Sequence, residues 1–494
     1  MKKVFLKRFL VLSMALATVA ACTDLKVQEV DSFAPKAGAT GFDPTKLLAS
    51  AYNDLDVFTN QDNVYSLTAH TTDEMIPPTR GVDWGDNGVW RTLDEHTWNS
   101  THSYVLSAWN DLNGRAYKCN QILSASPSPT QKAEAQFLRA FYMFQVMDLY
   151  GQVPFREVTQ GVNDLPKVFS RSDAFDFIVK DLTEALPNLP VGAPDPKNGK
   201  ASKAAANTML AKLFLNKAVY KATTPQGPYT FDKADMDKVV AYCDAVKDAG
   251  YSLESSYFTN FTTAASKEII FTTGGAGSPQ NRWYMTLHYD QNPSGWNGFT
   301  TLADFYDKFE AGDQRRGVAA KKDSSKFSGI GKGFLVGQQF NDNGKAIIED
   351  RGKTPLIFTR EIPLSGANVK QGIRVIKYHP ADAGQYILLR YSDVLLMKAE
   401  AQLRSSNAAG ALVTVTPLRA ARGASVLASV TEANLLDERG RELYWEGVRR
   451  TDLIRFGKFT TSTGVTKKDD YTVLFPIPTN AIVSNPNLKQ NAGY

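Results

Sequence analysis

Apolar residues recur at helical spacing through both ends of the chain. Phe137, Phe141 and Phe144 fall three or four positions apart, the repeat that brings side chains to one helix face. Ser128-Pro129-Thr130-Gln131 precedes them and offers an N-cap, a proline at the first helical position and a capping-box glutamine. Tyr150-Gly151, with Pro154 beyond, closes the run. A second helix is predicted over 202–220, with Ala206, Leu210, Leu213, Phe214 and Ala218 on one face. A third is predicted over 388–403, on the stripe Leu388, Tyr391, Leu395 and Ala399. Further helices are predicted near 45–59, 103–125, 172–187, 233–249 and 431–446. Alanine-rich helices like these suit paired helix–turn–helix packing, although no strict repeat period is present.

Between 255 and 385 the pattern changes. Gly, Ser, Asn and Asp rise, and short β-like pieces occur at Glu268 to Thr273 and Ile373 to Tyr378. A long segment without strong helix signals is usually a functional elaboration. The predicted fold is mainly α: helical parts over 42–254 and 386–494, with an irregular, loop-rich, α/β-containing insert over 255–385.

The N-terminus has a different character. Lys2, Lys3, Lys7 and Arg8 precede a mostly apolar run from Phe9 to Ala20, and Val19-Ala20-Ala21-Cys22 follows the pattern of a bacterial lipoprotein processing site. Residues 1–21 are expected to be an export signal, Cys22 the lipidated residue, and 22–41 a polar tether. The full chain carries 56 Lys+Arg against 51 Asp+Glu, a formal +5. Loss of the signal leaves 52 against 51, so the basic excess gives no argument for a nucleic-acid partner. Cys119 and Cys243 are expected to be buried thiols rather than ligands.

Catalytic constellations are missing from the sequence. The five histidines His70, His96, His102, His288 and His379 form no HExxH or similar pair, and neither a GxSxG elbow nor a Walker A loop occurs. Gly329 to Gly333 is glycine-rich but lacks the flanking elements of a phosphate loop. Asp73-Glu74 and Asp83/Asp86 are expected to be solvated surface. No catalytic residue, metal or cofactor is assigned. The run Glu438 to Phe459 is densely charged, and Glu438/Arg441 and Glu446/Arg450 stand at i,i+3 and i,i+4, as in an ion-pair network on a helix surface.

The aromatic loops carry the chemistry. Trp84, Trp90 and Trp98 lie among Gly, Asp and Asn, and Trp283, Tyr284, Tyr289 and Trp296 lie in the loop-like stretch from Pro279 to Gly298, whereas Trp109 and Trp445 sit in helical runs. An indole covers the C–H face of a sugar while Asn, Asp and Arg bond its hydroxyls. The candidate ligand-binding set is Arg80, Asp83, Trp84, Trp283, Tyr284, Trp296 and Asn297. The competing reading is that each tryptophan pins its loop to the helical body.

Four stretches carry a family resemblance: ERGRELYWEGVRRTDLIRFGKF (438–459), LLRYSDVLLMKAEAQL (388–403), AEAQFLRAFYMFQVMDLYGQVPF (133–155) and LFPIPTNAIVSNPNLKQNAGY (474–494). Together they resemble the SusD/RagB family of Bacteroidetes outer-membrane lipoproteins. The resemblance implies a helical body of tetratricopeptide-like helix pairs with an irregular ligand-binding subdomain. It also implies a non-catalytic glycan binder, held in the outer membrane by its N-terminal lipid and facing the cell exterior. Such a protein delivers substrate to a SusC-like TonB-dependent transporter. The resemblance makes the charged C-terminal run a structural signature and maps the family's aromatic platform onto Trp84, Trp283, Tyr284 and Trp296. A RagB-like binder of peptides or protein fragments is the alternative on the same fold; a surface glycosidase or a helical adaptor for proteins is a more distant one.

Overall fold

A computed structural model describes residues 43–161, 163–461 and 469–494. The expected export signal over 1–21, Cys22 and the 22–41 tether lie outside the described residues. Helix α1, Pro44–Asn53, begins at Asp43, whose carboxylate accepts the Thr45 N–H at 2.9 Å. Short α2, Asn63–Ala69, and α3, Val89–Asp94, precede two long helices, α4, Ser103–Ser124, and α5, Pro129–Tyr150. The capping box expected before α5 is present, with Ser128 and Gln131 each bonding the other's backbone. Gly151 ends α5 with φ +74°, and a Cβ there would stand 2.8 Å from the Leu474 side chain. A small hairpin of β1, Val153–Phe155, and β2, Lys167–Phe169, follows. Next come α6, Arg171–Ala185, α7, Lys203–Leu215, and α8, Lys233–Asp248.

Strand β3, Ile269–Thr272, opens the insert, and β11, Ile387–Arg390, closes it; the two pair antiparallel, so the insert leaves and rejoins the body at one place. Between them lie β4, Gly317–Val318, β5, Lys332–Leu335, and β10, Arg374–Ile376, in one three-stranded sheet. Two further pairs join β6, Gly337–Gln338, to β9, Ile357–Phe358, and β7, Ile348–Glu349, to β8, Thr354–Pro355. A one-turn helix, α9, Asn281–Tyr284, also belongs here. The insert has its own small core of Leu287, Ile330, Leu335, Ile347, Leu356, Phe358 and Ile376, with Trp283 packed on it.

The C-terminal part contains α10, Tyr391–Arg404, α11, Ala408–Ala421, α12, Glu432–Leu443, and α13, Arg449–Arg455. Helices pair in succession: α4 with α5, α5 with α6, α7 with α8, α8 with α10, and α10 with α11 and α12. The mainly α, helix-pair architecture is the one the apolar spacing predicts. Cys119 and Cys243 are buried and unbridged, and burial pushes the Cys119 thiol up to about 12.

Four local expectations are corrected. The helix predicted from 388 begins at 391, because Ile387 to Arg390 is a strand paired with β3. Trp445 is core as expected, but it follows α12 in a left-handed turn at φ +59° and donates its indole N–H to the Glu74 carbonyl. Asp73 and Glu74 are not solvated: Asp73 pairs with Arg449 at 2.7 Å, and Glu74 is fully buried. The charged run is buried rather than laid on a helix surface. Glu438 and Arg441 pair at 2.7 Å, but Glu446 accepts from Arg390 and Lys377, and Arg450 donates to the Val473 carbonyl instead of pairing with Glu446. Glu442 joins three arginines, Arg315 at 3.0 Å, Arg390 at 2.8 Å and Arg422 at 2.9 Å, from the insert, from β11 and from the end of α11.

Candidate ligand-binding site

The two aromatic loops, far apart in sequence, meet at one place. Arg80 and Asp83 exchange backbone hydrogen bonds of 3.0 Å across a tight turn, where Gly81 has φ +63° and Val82 projects 96% exposed at the tip. Trp84 follows at φ +64°, and its indole N–H donates to the Trp296 carbonyl at 2.8 Å. Its ring lies against Gly298, where a Cβ would come within 2.4 Å of the indole, so only glycine leaves room for it. Phe299 and Trp90 pack behind Trp84 at 5.1 and 5.9 Å between centroids.

Helix α9 sets the other half of the platform. Arg282 is buried and donates to the Phe58 and Asn60 carbonyls, with its guanidinium 3.4 Å from the Tyr65 ring centroid. That anchors α9 to the helical body and leaves Trp283 and Tyr284 beside it only partly covered. The Trp296 N–H donates to the Tyr284 carbonyl at 2.6 Å, which brings the two rings nearly parallel, 6.3 Å apart at 19°. Trp283 continues the row, 6.1 Å from Tyr284. Trp296 is 50% exposed. A large ring in that state presents a flat apolar face to solvent.

Polar groups rim the rings. The Tyr289 hydroxyl donates to Asp83 at 2.7 Å; burial and that carboxylate push the phenol up to about 12. Arg351, from the turn after β7, reaches Asp83 at 3.2 Å and lies over the Tyr289 ring at 4.7 Å. Its side chain is 57% exposed. Burial, reinforced by the guanidinium groups of Arg374, Arg80 and Arg351, pulls the His288 imidazole down to about 3, so the ring is neutral.

Of the seven candidate residues, Asp83, Trp84, Trp283, Tyr284 and Trp296 come together around one solvent-facing surface. Arg80 and Asn297 lie beneath it. Arg80 is 1% exposed, donates to the Asn368 carbonyl, and is pulled down to about 10 by burial. Asn297 is fully buried; its amide donates to the Val369 carbonyl at 2.9 Å and accepts from Arg374. Both tie the platform to the loop 364–371. Trp90 and Trp98 are buried, the first on α3 and the second bonded to the Tyr494 hydroxyl. Sequence reasoning missed Arg351, since nothing around it in the chain marks a site and its partners Asp83 and Tyr289 come from distant segments.

Comparison with known proteins decides the lineage. A model described as the SusD family matches residues 377–494, and one described as starch-binding, associating with outer membrane, matches 28–215. The starch-binding protein SusD of Bacteroides thetaiotaomicron is 27% identical over 419 residues, 74% of this chain and 73% of that one. The chain belongs to the SusD/RagB family. The fold of a SusD-like protein from Bacteroides fragilis superposes with a TM-score of 0.69 at 19% identity, covering 94% of this chain and 98% of that one. A laminarin-binding SusD-like protein gives 0.65 at 20% identity, covering 91% and 99%. In this SusD/RagB chain the two matched regions flank a middle stretch that neither model covers, and α9, Trp296 and Arg351 all lie in that stretch. Among the described residues, no helix is long and apolar enough to cross a membrane.

Proposed function

We propose that this protein is a surface glycan-binding lipoprotein: it captures oligo- or polysaccharide on the Trp84, Trp283, Tyr284 and Trp296 platform and passes it to a SusC-like TonB-dependent transporter. The observation that carries the reading is the nearly parallel Tyr284–Trp296 pair, with Trp296 half exposed, rimmed by Asp83, Tyr289 and Arg351. Parallel rings bind the C–H faces of sugars, and a carboxylate, a phenol and a guanidinium bond hydroxyls. The names of the relatives support it: one binds starch, another laminarin. Two different polysaccharides on one fold leave sugar choice to the platform rather than to the helical body. No catalytic role is assigned; binding and handover need none.

Attachment through a diacylglyceryl Cys22 to the outer membrane, facing outward, completes the role, supported by the processing pattern and the family's association with that membrane. Affinity electrophoresis and calorimetry against a polysaccharide panel test the binding: at least one glycan should retard the protein. Binding to peptides with no glycan retained would replace this reading by import of peptides or protein fragments. Release of reducing ends from the panel would make the protein a hydrolase.

A further inference from the structure

Below the rim of the platform, His288, Asp290 and Glu349 bring ligating atoms within 4.8 Å of one another. His288 Nδ1 lies 3.5 Å from an Asp290 carboxylate oxygen. Among the described residues, neither carboxylate has a lysine or arginine in ion-pair contact, although Glu349 is only 2% exposed. Elsewhere in the described residues Glu400, Glu438 and Glu442 each meet at least two arginines, whereas the fully buried Glu74 has none in ion-pair contact. A buried carboxylate beside a second one, with no cation between them, is costly unless it takes up a proton or something positive joins them.

The local hydrogen bonds aim the carboxylates without using them up. Glu349 accepts the Arg351 and Gly352 N–H groups, one on each oxygen at 2.7 and 2.6 Å, and Asp290 accepts the Asp350 N–H at 3.0 Å. Each oxygen keeps a free lone pair, and backbone donors of this kind fix carboxylate orientation around bound ions. His288 is fully buried; its Nδ1 lone pair takes the Asp290 N–H at 3.2 Å, and its Nε2 has no partner among the described residues.

The geometry points to a divalent transition-metal site formed by His288, Asp290 and Glu349, with zinc(II) as the ion that fits its donors. One imidazole with two carboxylates suits zinc, whereas calcium takes oxygen donors alone. Three protein ligands leave a position for water. The ligands come from the loop after α9 and from the β7 end of the β7–β8 hairpin, so the ion joins the hairpin to the platform loop. Arg351 stands two residues from Glu349 and is thereby held beside Asp83 and Tyr289. Any gain in saccharide capture rests on the glycan reading above, but the site itself is tested with zinc alone.

Untagged protein, stripped with a chelator, is titrated with ZnCl2 by calorimetry. One zinc per chain is expected, with Kd on the order of 1 μM or tighter. Glu349→Gln and Asp290→Asn should each weaken binding by roughly ten-fold or more, while Asp350→Asn on the same turn leaves it unchanged. Zinc should also slow amide exchange across 348–355 in the wild type. Should Glu349→Gln fail to fold, Asp290→Asn at a partly exposed position still reads the site. No stoichiometric binding at about 1 mM zinc, binding that both variants leave intact, or unchanged exchange in the hairpin would each overturn the proposal.

Discussion

Glu442, in the charged C-terminal run, is fully buried, whereas Trp296, in the aromatic loop, has half of its surface in water. The usual expectation would exchange the two. Glu442 gathers arginines from three separate segments, so its charge ties the insert, β11 and the C-terminal helices together. Isolated, such ions would be costly to bury; shared among several partners, they specify how distant segments meet. Trp296 ties little through its ring beyond Tyr284, and its stabilising contacts are made by its backbone. Charge density marks the scaffold here, and exposed apolar area marks the candidate site.

Removing the central tie should have the largest effect. Glu442→Ala leaves three buried guanidinium groups without their shared carboxylate and should cost about 3–5 kcal/mol in urea unfolding. A loss below about 1 kcal/mol would place the run on a surface after all. Acid should loosen the same network more gradually. Burial alone would push the Glu400 and Glu438 carboxyls up; Arg455 and Arg404 at the first, and Arg315 and Arg441 at the second, more than reverse it and hold both at about 2. In the unfolded chain they titrate near about 4.3, so their stabilisation is complete above that value and is lost as pH falls towards 2. Tm should hold from neutrality to about pH 5 and then fall; a flat profile to about pH 3 would contradict the pairing.

The platform should respond in the opposite sense. Trp296→Ala is expected to weaken glycan binding by about ten-fold or more, yet shift stability by no more than about 0.5 kcal/mol. A large stability loss with affinity retained would make Trp296 a pin for its loop. Arg351→Ala at the rim should do least, lowering affinity by about two- to five-fold with the fold untouched, as read by the same calorimetry.

Most of the scaffold was legible because its signals are local. Ser128 and Gln131 cap α5 from within one turn, and the apolar spacing of Phe137, Phe141 and Phe144 needs no distant partner. Leu388 and Leu389 defeat a local reading because a short apolar run suits a buried strand as well as a helix, and their partner β3 lies across the whole insert. α11 gave no clear signal, since Gly410, Pro417 and its Val and Thr residues weaken helix propensity; contact with α10 outweighs them. The Glu446–Arg450 spacing suggested a pair that Arg390 and Lys377 pre-empt from elsewhere. In the site, residue type revealed the rings but not their cover. Asn297 and Arg80 have the chemistry to bond a sugar, and the loop 364–371 takes up that capacity instead.

The contact between Trp84 and Gly298 has a consequence for the thermodynamics of capture. Two loops that interlock through a ring on a bare backbone, and through an indole N–H on a carbonyl, surrender their conformational entropy when the chain folds. A saccharide that meets them then loses mainly its own freedom, together with the water on the rings. Weak individual contacts can suffice on such a preorganised face. On the proposed reading, a bound sugar would also leave without the loops having to unlatch.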